Sequence, residues 1–358
     1  MRIGILTGGG DVPGLNVAIK SITNRALDRG HSVLGIRRGW LGLLSVDPSD
    51  AASRAQWTSE LSHDFVRTID LAGGTVLHTS RISPQKLPKS LAPAHLHARY
   101  GTNAEIDATR DVMRAIEGLK LDAVIPMGGD GTLRFAARLS QEGVPVVSIP
   151  KTMDNDVHGT DYAIGFSTAI TRSVDAITAL RTTGGSHERI VIVELFGRLS
   201  GQTALYSGVL AAADRIIIAE SPFDAVELAK LLEKDRLANP SRYSVCVISE
   251  GAKPKGGDVL QHGSADPYGR KHLGGVGEYL GEVCKKYTEG VIVQNLAYLM
   301  RSGAPDATDR MIALGFSALA LEYVLSGKFG RMVALDKGRF TAVPIDSPLK
   351  GAKRVDIT

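Results

Sequence analysis

Three short segments of the 358-residue chain carry side chains able to handle phosphate. The first is Gly8-Gly9-Gly10-Asp11-Val12-Pro13-Gly14-Leu15-Asn16. Consecutive glycines expose backbone N–H groups without side-chain obstruction, and a helix starting just beyond them turns its positive end toward an anion. Three glycines alone suit a ligand-free strand-to-helix turn equally well. The second segment, Gly128-Gly129-Asp130-Gly131-Thr132, sets a carboxylate inside a phosphate-sized cradle. A divalent cation bridging carboxylate and phosphate accounts for that combination, and Mg²⁺ suits it because it keeps few protein ligands and prefers phosphate oxygens. The third, Pro150-Lys151-Thr152-Met153-Asp154-Asn155-Asp156, packs a lysine and two carboxylates into six residues. Lys151 can hold phosphate as a point charge. One aspartate can accept the proton of an attacking hydroxyl while the other organises metal or water. An isolated Asp-Asn-Asp is more often a surface turn. Two phosphate-type turns upstream and a strand directly before it reverse that reading.

The elements that must position these segments are short apolar runs alternating with amphipathic stretches, the pattern of βα units around a parallel sheet. Strands are predicted at 3–6, 33–36, 122–126 and 144–149, and later at 190–194, 215–219 and 245–249. Helices are predicted at 15–29, 108–119 and 133–139, and 314–325 reads as an apolar core helix. All three chemical segments therefore follow strands, and ligands of open parallel sheets bind outside the carboxyl ends of strands. Segments 83–94 and 253–268 are weakly patterned, rich in Pro, Gly and polar residues.

Composition narrows the class. Lys plus Arg number 42 against 38 Asp plus Glu, a net +4 that is thin for this length. Such a balance suits a pocket for phosphorylated small molecules, whereas a nucleic-acid surface needs clustered charge. Charged residues at 22% and apolar residues at 43% fit a globular chain rather than a disordered one. The two cysteines, Cys246 and Cys284, make no disulfide framework or Cys/His pattern, and they read as free thiols of a reducing compartment. No run approaches the about 20 apolar residues of a membrane helix. Met1 leads straight into a strand pattern rather than a secretion signal, so a cytoplasmic location is expected. Neither nucleic acid nor a membrane is expected as a partner.

Taken together, GGGDVPGLN, GGDGT and PKTMDND resemble the 6-phosphofructokinase family. Further segments match in order from Met1 to about residue 340. Gly73-Gly74-Thr75 through Ser80-Arg81 is similar to that family's GGT…SR stretch, and Gly159-Thr160-Asp161-Tyr162 to its GTDY. Ser186-His187-Glu188-Arg189, Val193-Glu194-Leu195-Phe196-Gly197-Arg198 and Ile248-Ser249-Glu250-Gly251 are similar to its substrate-arginine, VEVMGR and SEG segments. A lipid or NAD kinase would share only GGDGT, and a non-catalytic sugar-phosphate sensor would have lost Asp130, Asp154 or Asp156.

The resemblance implies an α/β protein of two similar three-layer (αβα) domains with mainly parallel sheets and the active site in the cleft between them. Residues 1–164 plus 301–346 would bind the phosphoryl donor, and 165–300 plus 347–358 fructose 6-phosphate. The implied reaction is transfer of the γ-phosphoryl group of ATP to the 1-hydroxyl of fructose 6-phosphate, with pyrophosphate as the alternative donor. Asp154 would take the hydroxyl proton, Arg198 would stabilise charge on the transferring group, and Lys151 would act beside them. Asp130 would hold Mg²⁺, with Asp156 close by. Thr152, Asp156, Phe196, Gly197, Glu250, Tyr298 and Arg301 would bind the sugar phosphate. Arg189 would reach the 6-phosphate from a neighbouring subunit, which implies a homodimer or homotetramer with a shared site. Gly9, Gly10, Arg81, Gly129, Gly131 and Thr132 would line the donor site.

Departures from the family pattern set the specific expectations. Ile292 stands where an interface arginine is common, and Tyr298 replaces the 6-phosphate histidine. Lys20, Asn24 and Ser241 replace cations of the short bacterial enzymes' effector site, so that style of ADP or phosphoenolpyruvate control is not expected. Gly131 is the ATP-type residue, leaving room for an α-phosphate, whereas Lys151 is the pyrophosphate-type residue. Phe135, bulky where glycine is frequent, is expected to seat the adenine differently.

Overall fold

The computed structural model describes residues 1–100, 104–265, 268 and 271–358. The strands of its two main sheets are, in chain order, β1 (Arg2–Gly8), β2 (Ser32–Ile36), β3 (Thr58–Glu60), β4 (Ala123–Gly128), β5 (Val147–Pro150), β6 (Ile190–Leu195), β7 (Arg215–Ile217), β8 (Ser244–Ser249), β9 (Val291–Asn295), β10 (Arg331–Asp336) and β11 (Arg339–Pro344). The principal helices are α1 (Leu15–Leu27), α2 (Thr109–Gly118), α3 (Asp130–Gln141), α4 (Phe166–Ser186), α5 (Gln202–Leu210), α6 (Ala225–Ala238), α7 (Val276–Cys284) and α8 (Ala307–Leu325). Among the described residues no helix is long and apolar enough to cross a membrane.

The chain divides into two compact units. One comprises residues 1–152, 157–165 and 302–351; the other comprises 153–156, 166–301 and 352–358. The first holds a seven-stranded sheet in the order β11-β10-β5-β4-β1-β2-β3. Its five central strands run parallel, and β3 and β11 close the edges antiparallel. β4 is buried along its whole length, as expected of a strand covered by helices on both faces. The second unit holds a four-stranded parallel sheet, β9-β6-β8-β7, in which β6 and β8 are entirely buried. Its core gathers Ile190, Ile192, Ile248, Leu228, Leu232, Val276 and Leu280.

Several elements differ from the sequence expectation for identifiable reasons. α3 begins at Asp130 rather than at 133, because Gly129 takes an extended conformation and acts as its N-cap. Strand β5 starts at Val147, and upstream only Val146 bridges to Val124. α8 extends back to Ala307, where the Asp306 side chain accepts the Asp309 N–H at 2.9 Å and caps the helix. Inside that first turn Asp309 is fully buried; its Oδ1 accepts the Gly165 N–H at 2.7 Å and the Tyr162 hydroxyl at 3.1 Å. The weakly patterned segment 83–94 forms two 3₁₀ turns and a two-residue strand, Leu87–Pro88. In 253–268, the described part contains the two-residue strand Gln261–His262, and residues 266 and 267 lie outside the described residues.

Candidate active site

In the first unit, the glycine turns stand at the carboxyl ends of neighbouring parallel strands, with Gly8 of β1 in register with Gly128 of β4. The buried Thr132 side chain lies so close to both that a Cβ at either position would collide with it. Glycine at 8 and 128 is what lets α3 start against both strand ends. Thr132 is thus a packing residue of the turn. Asp130 and Gly131 occupy the first turn of α3, where N–H groups have no intrahelical acceptor and the helix dipole is positive. The Asp130 carboxylate is exposed and receives the Arg134 Nε–H at 2.8 Å on each oxygen.

Lys151 closes the other side of this turn. It is only 3% exposed, and its ammonium donates to the Gly10 carbonyl at 2.5 Å. Its backbone N–H reaches the Gly128 carbonyl at 3.0 Å, and the Thr152 N–H reaches that of Ile164 at 3.1 Å. Gly9, at φ +82°, bonds through its N–H to the Ser80 carbonyl at 2.9 Å and accepts the Thr79 hydroxyl at 2.7 Å. The expected donor residues Gly9, Gly10, Gly129, Gly131 and Lys151 are therefore gathered around one turn, with Arg81 exposed one residue beyond Ser80. Alongside runs an open cavity of about 530 Å³ lined by Asp11, Arg38, Leu41, Thr75, His78, Thr79 and Ser80. Phe135 is not in it. That ring is buried in the core, edge-on to Trp40 at 5.0 Å.

In the second unit, Asp154-Asn155-Asp156 forms a turn with Asn155 in the left-handed region (φ +51°). The buried Asn155 amide donates to Gln202 Oε1 at 2.8 Å, and the Asp156 carbonyl accepts the Lys353 N–H at 2.7 Å. Both aspartates are half-buried. The carboxyl end of β6 runs into Phe196-Gly197-Arg198, with Arg198 left-handed at φ +52°. Glu250, at the end of β8, accepts the Arg198 N–H at 2.8 Å and the Gly197 N–H at 3.4 Å. Burial is the main influence on its carboxyl, pushing it above the ordinary carboxylate range against those two hydrogen bonds. After β9, a 3₁₀ turn over Ala297–Arg301 brings Tyr298 edge-on to Phe196 at 5.5 Å, with the Arg301 guanidinium 4.8 Å above the Tyr298 ring. The Phe196 N–H points at the Met300 sulfur, 3.2 Å away.

The strand ends thus collect Phe196, Gly197, Arg198, Glu250, Tyr298 and Arg301. Arg189 is not among them. It precedes β6, at the other end of a six-residue strand that spans about 20 Å. There its side chain lies along Gly290, where a Cβ would fall 2.8 Å from the Arg189 Cγ. Lys285, at the C-terminus of α7, is paired with Glu282 at 2.6 Å.

Three residues of these sites, Arg38, Arg134 and Asn295, escape a motif reading, and Glu194 lies within a motif that gave it no role. Arg38 had a usable signal, since it follows a strand and precedes a glycine at the same sheet edge as Gly9. The others come into view only through folding.

The family described as Phosphofructokinase matches residues 2–324. ATP-dependent 6-phosphofructokinase 3 of Streptomyces coelicolor is 39% identical, covering 99% of this chain and 96% of that protein. ATP-dependent 6-phosphofructokinase of Mycobacterium leprae is 38% identical, covering 99% and 96%. Pyrophosphate–fructose 6-phosphate 1-phosphotransferase of Dictyoglomus thermophilum is also 38% identical, covering 100% and 95%. The fold is that of Saccharomyces cerevisiae phosphofructokinase, with a TM-score of 0.78 at 22% identity; the match covers 98% of this chain and 45% of that one. Pyrophosphate-dependent phosphofructokinase of Nitrosospira multiformis matches with a TM-score of 0.79 at 15% identity, over 99% and 86%. With its ordered phosphate-type turns, its α/β architecture and a match over nearly its whole length, the chain belongs to the phosphofructokinase family.

Proposed function

We propose that the protein is an ATP-dependent 6-phosphofructokinase acting in the cytoplasm, which phosphorylates the 1-hydroxyl of fructose 6-phosphate. Family membership with the base-bearing Asp154-Asn155-Asp156 turn intact carries this reading. Asp154 accepts the 1-hydroxyl proton as that oxygen attacks the γ-phosphorus; the bond to the β–γ bridging oxygen breaks and ADP leaves. Arg198 faces the transferring group, and phosphoryl transfer is mainly positioning and charge neutralisation. Thr152, Asp156 and Glu250 take the sugar hydroxyls, with Phe196 and Gly197 shaping that turn. Arg301 and Tyr298 take the 6-phosphate.

Gly131 and the adjoining cavity support a nucleotide donor. Apart from its chain neighbours and the adjoining backbone of its own helix, no atom of the described residues lies within 4 Å of where a Cβ on Gly131 would stand, and about 530 Å³ beside the Gly9–Asp11 turn exceeds what pyrophosphate needs. The donor phosphates would meet Gly9, Gly10, Gly129 and the first turn of α3, with Arg81 close by. Pyrophosphate is the second reading, favoured by Lys151, whose charge acts directly on the glycine turn.

Among the described residues no three carboxylates or histidines converge as a self-sufficient metal cage. The one exposed carboxylate of the turn, Asp130, fits a Mg²⁺ that arrives with the donor and takes most of its ligands from phosphate and water. Such an ion would neutralise phosphate charge, and Arg134 must release Asp130 for it. The remote position of Arg189 favours a homodimer or homotetramer in which it serves a neighbouring copy's 6-phosphate. Parallel assays of fructose 6-phosphate with ATP and with pyrophosphate test the reading. Turnover with neither donor would overturn it, and a catalytic efficiency at least about tenfold higher with pyrophosphate would overturn the ATP assignment.

A further inference from the structure

Strand β6 is buried throughout, and its one polar side chain is Glu194, which is 2% exposed. A carboxylate buried in such a strand is strongly disfavoured unless donors surround it. Here Oε1 accepts the Gly275 N–H at 3.1 Å and the Asn295 side-chain amide at 3.0 Å, and Oε2 accepts the Gly277 N–H at 2.7 Å. Two of these donors belong to the N-terminus of α7, reached through Gly274 (φ +125°) and Gly275 (φ +87°). A Cβ on Gly274 would stand 2.7 Å from Oε1, so the approach requires glycine. The third donor, Asn295, is the register partner of Glu194 on β9, and the Glu194 carbonyl accepts the Leu296 N–H at 3.1 Å.

Both chain segments pinned here run directly into the sugar-phosphate turns. Two residues beyond Glu194 lies Phe196; three beyond Asn295 lies Tyr298, edge-on to Phe196 and covered by Arg301. A leucine or valine at 194 would fill the core but would not tie β9 to β6 at the point where the two turns diverge. We infer that Glu194 is a positioning residue for acceptor binding, setting the Tyr298–Arg301 turn against the Phe196–Arg198 turn through Asn295 and the N-terminus of α7. The inference rests on the reading of fructose 6-phosphate as acceptor.

Glu194→Gln tests it, because one carboxamide cannot accept from all three donors and turns an N–H against at least one of them. The expected result is a KM for fructose 6-phosphate raised about 10-fold or more, with kcat changed less than about threefold and the KM for ATP unchanged. Asn295→Ala, which keeps the carboxylate and removes one donor, should raise the same KM about threefold or more. It decides the question if the glutamine variant does not fold. A lower melting temperature with unchanged KM for fructose 6-phosphate in the folded variants would show a purely structural role and overturn the inference. Wild type is the first arm: if it does not use fructose 6-phosphate, the reading of the reaction falls and this inference with it. If wild type is active and the variants keep its KM, only the inference falls.

Discussion

Gly131→Asp separates the two donors. Glycine 131 lies in the first turn of α3 without a positive φ, and its missing side chain leaves open space. An aspartate there meets no steric barrier, and the helix dipole favours a carboxylate in a first turn by about 0.3–1 kcal/mol. The variant should therefore fold with an unchanged or slightly higher melting temperature. Its effect falls on the ligand. A second carboxylate beside Asp130, facing a nucleotide's α-phosphate at a distance of about 6 Å, costs roughly 0.7 kcal/mol at water's dielectric constant and about 2.8 kcal/mol at an effective value near 20. That corresponds to a loss of about 3- to 100-fold in catalytic efficiency with ATP. Pyrophosphate has no α-phosphate and should lose less. The assay is the ratio of kcat/KM for ATP and pyrophosphate, in wild type and variant, at fixed free Mg²⁺. Equal losses with both donors, or no loss with ATP, would refute the placement of the α-phosphate at Gly131.

Asp154→Asn should lower kcat by about 10²–10⁴-fold with little change in either KM, the range of general-base contributions; a kcat within threefold of wild type removes Asp154 from proton transfer. Arg189→Ala should raise the KM for fructose 6-phosphate, and its subunits, mixed with inactive Asp154→Asn subunits, should regain activity if Arg189 serves a neighbouring copy; failure in verified mixed oligomers argues for a site within one chain. Because burial raises the Glu250 carboxyl, its proton is lost only above the ordinary carboxylate range, so the KM for fructose 6-phosphate should rise as pH falls toward that raised value. Glu250→Gln should raise that KM and flatten its acid limb, and a limb that persists unchanged assigns it to another group. Burial pushes both thiols up, Cys284 to about 11, so neither Cys246 nor Cys284 should react with iodoacetamide at pH 8 in the native protein; rapid native labelling would contradict the packing of the second core.

Local chemistry was legible in the sequence wherever one short segment carried it. The Gly8–Gly10, Gly128–Thr132 and Lys151–Asp156 segments each follow a strand, and a strand followed by glycine or acid specifies its turn from neighbouring residues alone. Strands β4, β6 and β8 were legible for the same reason, being continuous apolar runs buried on both faces. Thr132 reads as a donor contact in the motif; that its side chain also packs over Gly8 and Gly128 was not legible there, because its environment is set partly by a strand more than 120 residues away. Phe135 was expected to seat the adenine differently; its ring turns into the core against Trp40, since helical phase and a distant aromatic decide which way it faces. The Gly10 carbonyl on which the Lys151 ammonium is spent, the three donors around Glu194 and the stacking of Phe196, Tyr298 and Arg301 all join residues far apart in the chain. Sequence alone determined which residues have the chemistry, because that is a property of side chains and their immediate backbone. Only the tertiary structure decided which of them meet, because strand register, helix phase and the need to satisfy every buried polar group are settled between segments rather than within them.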